Sequence, residues 1–269
     1  MGRSFREGSI VSPALHSELG GQDQVLPRIS PEDIPQSYRR HRPHHTRLEQ
    51  SLVLRSLHGR VASGSVQPWC LSHTKRIFDI LGASIILFLS TPILLITAIA
   101  IKLETPGPIL FRQWRTGFAG ERFMMYKFRT MRRNADLLKD SLRSLNHYGP
   151  SSPDFKIRKD PRVTAVGKVL RRLSLDELPN LFNVLQGQMS LVGPRPTSFD
   201  IDAYQVRHVV MLTVRPGLTG LWQISGRGDV DFERRVQLDS RYIENQSPLL
   251  DLRILLLTPI RVLRGRGAY

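Results

Sequence analysis

Residues 80–101 read ILGASIILFLSTPILLITAIAI, twenty-two positions without one charged side chain. That is long enough to cross the hydrocarbon core of a bilayer as a helix. Pro92 falls near the middle, directly after Ser90 and Thr91. A proline inside a helix removes one backbone hydrogen bond and crowds the preceding turn, so a kink is expected there. Nearby hydroxyls can satisfy the carbonyls that are freed. Charge then bears on topology, because a spanning segment usually carries its excess of Lys and Arg on one side. Here Lys75 and Arg76 precede the apolar run, and Lys102, Arg112, Arg115 and Arg122 follow it. Both flanks have the character of one membrane face. A helix that enters the bilayer, breaks at Thr91-Pro92 and returns reconciles length with charge. A plain spanning anchor remains open on length alone.

Upstream, residues 1–73 are rich in Arg, Ser, Pro, Gly and His and poor in aromatics. Such a composition does not bury enough apolar surface to offset the entropy of ordering, and a disordered basic tail is expected. Leu48 to Leu57 could form a short amphipathic helix within it. The run from His41 to His45 has no carboxylates around it and reads as a solvated loop. Met1 is followed by polar sequence, with no apolar h-region of a secretory signal. The single cysteine, Cys70, excludes an internal disulfide and a cysteine-based zinc site. It falls in an expected linker and is assigned no role. A formal net charge of +16 calls for an anionic partner: nucleic acid, an acidic membrane surface or phosphorylated substrates.

Downstream, Phe111–Thr116 and Phe123–Thr130 flank a turn at Gly117, Phe118, Ala119 and Gly120, the pattern of a β-hairpin. Alternation on the second strand places Lys127 and Arg129 on one face, roughly 7 Å apart, a spacing that suits a diphosphate. Two solvated charges on an exposed strand would give the same pattern. A charged, helix-like stretch runs from Met131 to about Leu145. At the far end, Pro248 to Val262 is an Arg-studded apolar stretch. It reads as a helix lying in a membrane interface or packed into the core.

The densest chemistry lies between. Ser174-Leu-Asp-Glu-Leu-Pro-Asn-Leu-Phe-Asn-Val184 has the form of a helix start, with Pro179 in the first turn. Ser174 and Glu177 match the capping-box spacing, which would give Glu177 a purely structural role. In the other reading, the helix N-terminus favours ionised Asp176 and Glu177 and attracts phosphate. An ionised aspartate is a competent nucleophile toward phosphorus, and an adjacent carboxylate can hold Mg2+. Nearby in sequence lie Asp160, Arg162, Lys168, Arg171 and Arg172. The loop around Arg195 is stiffened by Gly193, Pro194 and Pro196, and a Gly-rich turn follows Arg215. Neither is a dinucleotide fingerprint or a P-loop, whose glycine and lysine spacings are missing.

These segments together resemble the bacterial sugar transferases, the monotopic polyprenyl-phosphate phosphoglycosyl transferases. The resemblance runs from Lys75-Arg-Ile-Phe-Asp79 to Tyr269. It includes Tyr126-Lys-Phe-Arg-Thr-Met131, Asp160-Pro-Arg-Val-Thr164, Ser174-Leu-Asp-Glu-Leu-Pro179, Met189-Ser-Leu-Val-Gly-Pro-Arg-Pro196 and Arg215-Pro-Gly-Leu-Thr-Gly-Leu-Trp222. Several motifs in the right order make it specific.

The resemblance implies an α+β, monotopic membrane protein. One re-entrant helix-break-helix, interfacial amphipathic helices and a small catalytic domain containing a β-hairpin are its parts. The expected division is a tail (1–73), a membrane hairpin broken at Thr91 and Pro92 (74–106) and a catalytic domain (107–269). The family has Ser before that proline, and Thr91 keeps the hydroxyl. The implied reaction moves a sugar-1-phosphate, expected to be a hexose-1-phosphate, from a UDP-sugar to undecaprenyl phosphate and releases UMP. Asp176 would be the nucleophile that carries the sugar-phosphate covalently, and Glu177 the Mg2+ ligand. Lys127, Arg129, Asp160, Arg162, Arg195 and Arg215 would bind substrate. The enzyme would work at the cytoplasmic face of the inner membrane, in starting exopolysaccharide or a related glycan. No nucleic-acid partner is expected, and homo-oligomerisation is left open. Charge alone would also allow a membrane-tethered nucleic-acid binder or a scaffold without chemistry, but neither accounts for the paired carboxylates and the rigid Arg195 loop.

Overall fold

A computed structural model describes residues 68–138, 141–147, 157, 159–198, 204, 206–226 and 230–264. The expectations for the His41–His45 run, for Leu48–Leu57 and for the tail up to residue 67 lie outside the described residues.

A short 3-10 turn, Pro68–Leu71, leads into helix α1, His73–Glu104. Ser72 caps α1 by accepting from the Lys75 N–H. The helix is 32 residues long, about 48 Å at 1.5 Å per residue. It stays helical through Pro92. The Thr91 and Ser90 hydroxyls both donate to the Leu87 carbonyl, at 2.9 and 3.2 Å. Such back-bonding competes with the helical ladder and bends helices. It is the one helix among the described residues that is long and apolar enough to cross a membrane.

One stripe of α1 is buried, through Lys75, Asp79, Ala83, Ser90, Thr97 and Ile101. The remainder exposes large apolar side chains, Phe88 at 79% and Leu103 at 83% among them. Both ends of α1 pack on the same fold. Near the start, Arg76 donates to the Val184 and Leu185 carbonyls. At the far end, a Glu104 carboxylate oxygen accepts from the Ala165 and Val166 N–H groups. It thereby caps helix α2, Ala165–Arg172, together with the hydroxyl of Thr164.

The expected hairpin forms as β1, Leu110–Thr116, antiparallel to β2, Arg122–Phe128. The turn between them takes a left-handed residue at Ala119 (φ 55°). The helix-like stretch after Met131 is not one helix: its described parts are two 3-10 turns, Ala135–Leu138 and Arg143–Leu145. Next come helix α3, Asn180–Leu185, and strand β3, Ser190–Val192. β3 pairs in parallel with β4, Gly217–Thr219. A Cβ on Gly217 would lie 2.1 Å from the backbone nitrogen of Gly193. Two glycines are therefore what lets the Gly193–Pro196 loop run against the second Gly-rich segment.

The chain ends with α4, Leu221–Ser225, α5, Phe232–Glu244, and α6, Pro248–Leu263. Helix α6 has one face in the core and one face exposed. Asp251 and Ile254 are fully buried, while Leu249, Leu252, Leu256, Ile260 and Leu263 form an exposed apolar stripe. The main core joins Ala83, Leu181, Val184, Leu191, Tyr242, Ile243 and Ile254. Each large side chain fully buried there contributes about 1.5–3 kcal/mol.

Cys70 is not in a linker. It is buried beside Tyr242, and burial pushes its thiol up to about 12. Next to it Lys75 Nζ lies 2.7 Å from Asp79 Oδ1 and 2.9 Å from Asp251 Oδ2. Asp79 also accepts from Ser190 Oγ and the Leu191 N–H, each at 3.0 Å. Asp251 also accepts from Trp69 Nε1 and the Tyr242 hydroxyl, at 2.9 and 2.8 Å. A buried network this fully paired fixes the start of α1 against β3 and α6.

Candidate active site

The Asp176–Glu177 segment does not make the capping box that its spacing suggests. Ser174 is left-handed (φ 54°) and its side chain caps nothing. A 3-10 turn, Leu175–Glu177, runs through Leu178 and Pro179, both in the right-handed helical region, into α3. The Glu177 side chain is thus released from the backbone and turns to cations. Its Oε1 lies 2.7 Å from Lys127 Nζ and 3.2 Å from an Arg195 guanidinium nitrogen. Lys127 comes from β2, and Arg195 from the loop that leaves β3. The Arg195 guanidinium also lies 4.7 Å from the Trp222 ring centroid, which braces it from behind.

Burial would raise the Glu177 carboxyl, but Lys127 and then Arg195 override it and hold the group far below the usual range. Asp176 goes the other way. Burial, with the adjacent Glu177 charge adding to it, raises its carboxyl to about 6, and Lys127, Arg171 and Arg195 offset only part of that. The helix-dipole expectation of a favoured ionised Asp176 therefore loses to desolvation. Two neighbouring carboxylates pushed apart in this way are a recurrent mark of sites that assign different tasks to each. Burial also pulls the Lys127 ammonium down, against the upward pull of Glu177.

A small cleft joins Lys127, Glu177, Asn180 and Arg195 with Arg115, Met125 and Gly217. Of the residues expected to bind substrate, Lys127 and Arg195 thus meet at Glu177. The other four have positions outside the cleft lining. Arg129 donates to the Pro106 and Thr105 carbonyls, at 2.6 and 2.7 Å, and closes the end of α1. β2 ends at Phe128, so the shared strand face does not extend to Arg129. Asp160 and Arg162 form a buried forked pair, with 2.9 and 2.7 Å contacts. Arg215 Nε donates to the Gly187 carbonyl at 3.0 Å.

Sequence reading missed Arg115 as a neighbour of the centre and named Arg171 only as lying near it in sequence. Arg115 faces Phe123 across the hairpin, and that register places it on the Phe123–Met125–Lys127 face, a signal the hairpin pattern held. Arg171 acts on Asp176 across space from α2, while its Nε donates to the Thr130 hydroxyl. Behind Arg195, Asp239 is fully buried, and burial raises its carboxyl to about 8.

The Bacterial sugar transferase family model matches residues 70–265. The chain belongs to that family. Among the relatives of this sugar transferase is the exopolysaccharide production protein ExoY of Rhizobium meliloti. It is 42% identical over 210 residues, which are 77% of this chain and 92% of ExoY. The UDP-glucose:undecaprenyl-phosphate glucose-1-phosphate transferase of Caulobacter vibrioides is 43% identical over 205 residues, 72% of either chain. The undecaprenyl-phosphate galactose phosphotransferase of Salmonella typhimurium is 42% identical over 198 residues, 72% of this chain but 41% of that longer protein.

For a divalent cation, the adjacent carboxylates of Asp176 and Glu177 are oxygen ligands of the kind Mg2+ accepts. Among the described residues no group of three or more His, Cys, Asp or Glu makes a ready cage. Mg2+ is commonly held by one or two carboxylates, with substrate phosphates and water completing its shell. The residues present fit that arrangement.

Proposed function

We propose that this phosphoglycosyl transferase moves a hexose-1-phosphate from a UDP-sugar to undecaprenyl phosphate through a covalent intermediate on Asp176, in starting exopolysaccharide synthesis. An Asp176 carboxylate oxygen attacks the sugar-bearing phosphorus. The bridging P–O bond breaks, and UMP leaves with the bond's electrons. An oxygen of undecaprenyl phosphate then attacks the same phosphorus, the aspartyl O–P bond breaks, and undecaprenyl-diphosphate-sugar is released with Asp176 restored. Lys127 and Arg195 would hold the phosphate oxygens as negative charge shifts onto the leaving group. Glu177 would hold Mg2+, which supplies charge neutralisation at the phosphates.

The observation that carries this reading is the divergence of the two carboxyls. Asp176, raised to about 6, is ionised at neutral pH and keeps more basicity than an ordinary aspartate. Glu177 stays an anion under two cations. The name of the Caulobacter relative supports the donor and acceptor, and that of the Salmonella relative supports the acceptor.

The membrane part of the proposal is a re-entrant α1 at the cytoplasmic face. Basic flanks on both sides, Pro92 in mid-helix and packing of both helix ends on one catalytic domain support it. The exposed stripe of α6 would lie in the same interface.

The test is incubation of the full chain with UDP-glucose or UDP-galactose and Mg2+, without lipid. One sugar-phosphate mass should appear on the peptide containing Asp176, with an equivalent of UMP released. If UMP appears only when undecaprenyl phosphate is present and no adduct forms, transfer is direct and the covalent reading is wrong.

A further inference from the structure

Among the described residues, three cations and one acid line the charged cleft: Arg115, Lys127 and Arg195 against Glu177. The lining thus has two positive charges in excess, and the diphosphate of a UDP-sugar carries two negative ones. Lys127 and Arg195 meet at Glu177. Arg115 reaches the same cleft from the other strand of the hairpin and is held on both sides of its backbone. Its guanidinium donates to Gln113 Oε1 at 2.6 Å. The next residue, Thr116, donates its N–H to the Thr197 carbonyl at 3.0 Å, which ties this end of β1 to the loop that carries Arg195.

Strand β2 gives the order of these groups. Just past its end, the Thr130 hydroxyl accepts from Arg171 Nε at 3.0 Å. Lys127 comes next, paired with Glu177. Arg115 stands at the other end, opposite Phe123 and beside the hairpin turn. Lys127 and Phe123 are separated by about 13 Å of strand, at 3.3 Å per residue. Two long side chains close part of that distance, because both line one cleft. Along the strand the order is therefore Arg171, Lys127, Arg115. Asp176 belongs to the Arg171 end. The turn that carries it packs on α2, and after burial and the Glu177 charge, Lys127 and Arg171 are what act on its carboxyl.

Displacement at phosphorus proceeds with the attacking and leaving oxygens roughly in line, on opposite sides of the phosphorus. An oxygen that attacks from the Arg171 end expels its leaving group toward the Arg115 end. We infer that Arg115 binds the nucleotide phosphate of the donor and of the departing UMP, while the sugar-bearing phosphate lies at Lys127 and Arg195. The inference rests on the attack by Asp176 proposed above. When the bridging P–O bond breaks, its electron pair stays on the UMP oxygen. A guanidinium beside that oxygen stabilises the added charge, and no proton has to move. Arginine suits the task, because its planar fork can engage two oxygens of one phosphate at once.

The experiment is calorimetric titration of the full chain in detergent with UMP and Mg2+, in the absence of UDP-sugar and lipid. Arg115→Gln should raise the Kd for UMP about tenfold, the effect of one lost charge-assisted contact. Arg171→Gln should change it much less. Unchanged affinity in Arg115→Gln overturns the inference. So does a larger loss in Arg171→Gln, which would put the nucleotide at the end where Asp176 lies. Uridine lacks the phosphate, so Arg115→Gln should bind it as the unsubstituted protein does. An equal loss for uridine would mean that the substitution disturbs the cleft as a whole, and Arg115 would then be structural. Arg115→Lys keeps the charge without the fork and should fall between the two, so it carries the test if the glutamine variant does not fold. UMP binding needs no turnover. Its result therefore decides Arg115 separately from the adduct experiment, which decides the covalent intermediate.

Discussion

Lys127 Nζ lies 2.7 Å from Glu177 Oε1, and this ion pair joins the hairpin to the Leu175–Glu177 turn. Each side chain is about one-sixth exposed, at 17% and 16%. Solvent thus screens the pair only in part, and loss of Lys127 leaves Glu177 to its longer pair with Arg195, at 3.2 Å. Lys127→Ala should therefore reduce kcat/KM by the equivalent of about 1.5–3 kcal/mol, the range for a charge-assisted contact. Steady-state turnover on protein of unchanged circular dichroism checks it; unchanged kcat/KM would remove Lys127 from the site.

The rate of the first half-reaction should fall as pH drops through about 6, because protonation of Asp176 removes the attacking electron pair. Glu177, held down by Lys127 and Arg195, should remain ionised across the same range. Rapid-quench measurement of UMP release without lipid, between pH 5 and 8, gives the profile. A flat profile would contradict a nucleophile raised to that value.

Asp239 should make the fold weaker as pH rises. Its folded-state pKa is about 8, against an unperturbed value of 3.8. The folded state therefore binds the proton more tightly, and unfolding free energy falls between those two values. Among the described residues neither carboxylate oxygen has a well-formed hydrogen bond, although the Arg235 charge and the Arg195 backbone N–H lie near enough to favour ionisation in part. Asp239→Asn should be the more stable protein at pH 8, by about 1–3 kcal/mol, with the difference vanishing toward pH 4. Denaturant titrations at the two pH values settle it, since parallel pH dependence in both proteins would exclude Asp239 as the source.

Lys75→Met should destabilise by about 3–5 kcal/mol, because it leaves Asp79 and Asp251 buried without their cation. Combining it with Asp79→Asn and Asp251→Asn should restore part of the loss, since the uncompensated charges go as well. Denaturation in one detergent would compare the variants. A triple variant no more stable than the single one would mean that packing, not charge, is what Lys75 provides.

The sequence alone determined the long apolar segment, the hairpin, the helix starting near Pro179 and the candidacy of Asp176 and Glu177. Each of these is a local property, written in an uncharged run, a turn between alternating strands or a spacing within one turn of helix. Tertiary structure alone decided which cations serve the site. Lys127 and Arg129 are two residues apart on one strand pattern, yet one reaches Glu177 and the other closes α1 through Thr105 and Pro106. Arg115 and Arg171 come near the centre from other elements, and Cys70 leaves its expected linker for the core. The direction of the Asp176 shift was likewise beyond the sequence. A helix N-terminus would lower that carboxyl, but burial beside a second carboxylate raises it, and burial exists only once distant segments have packed together.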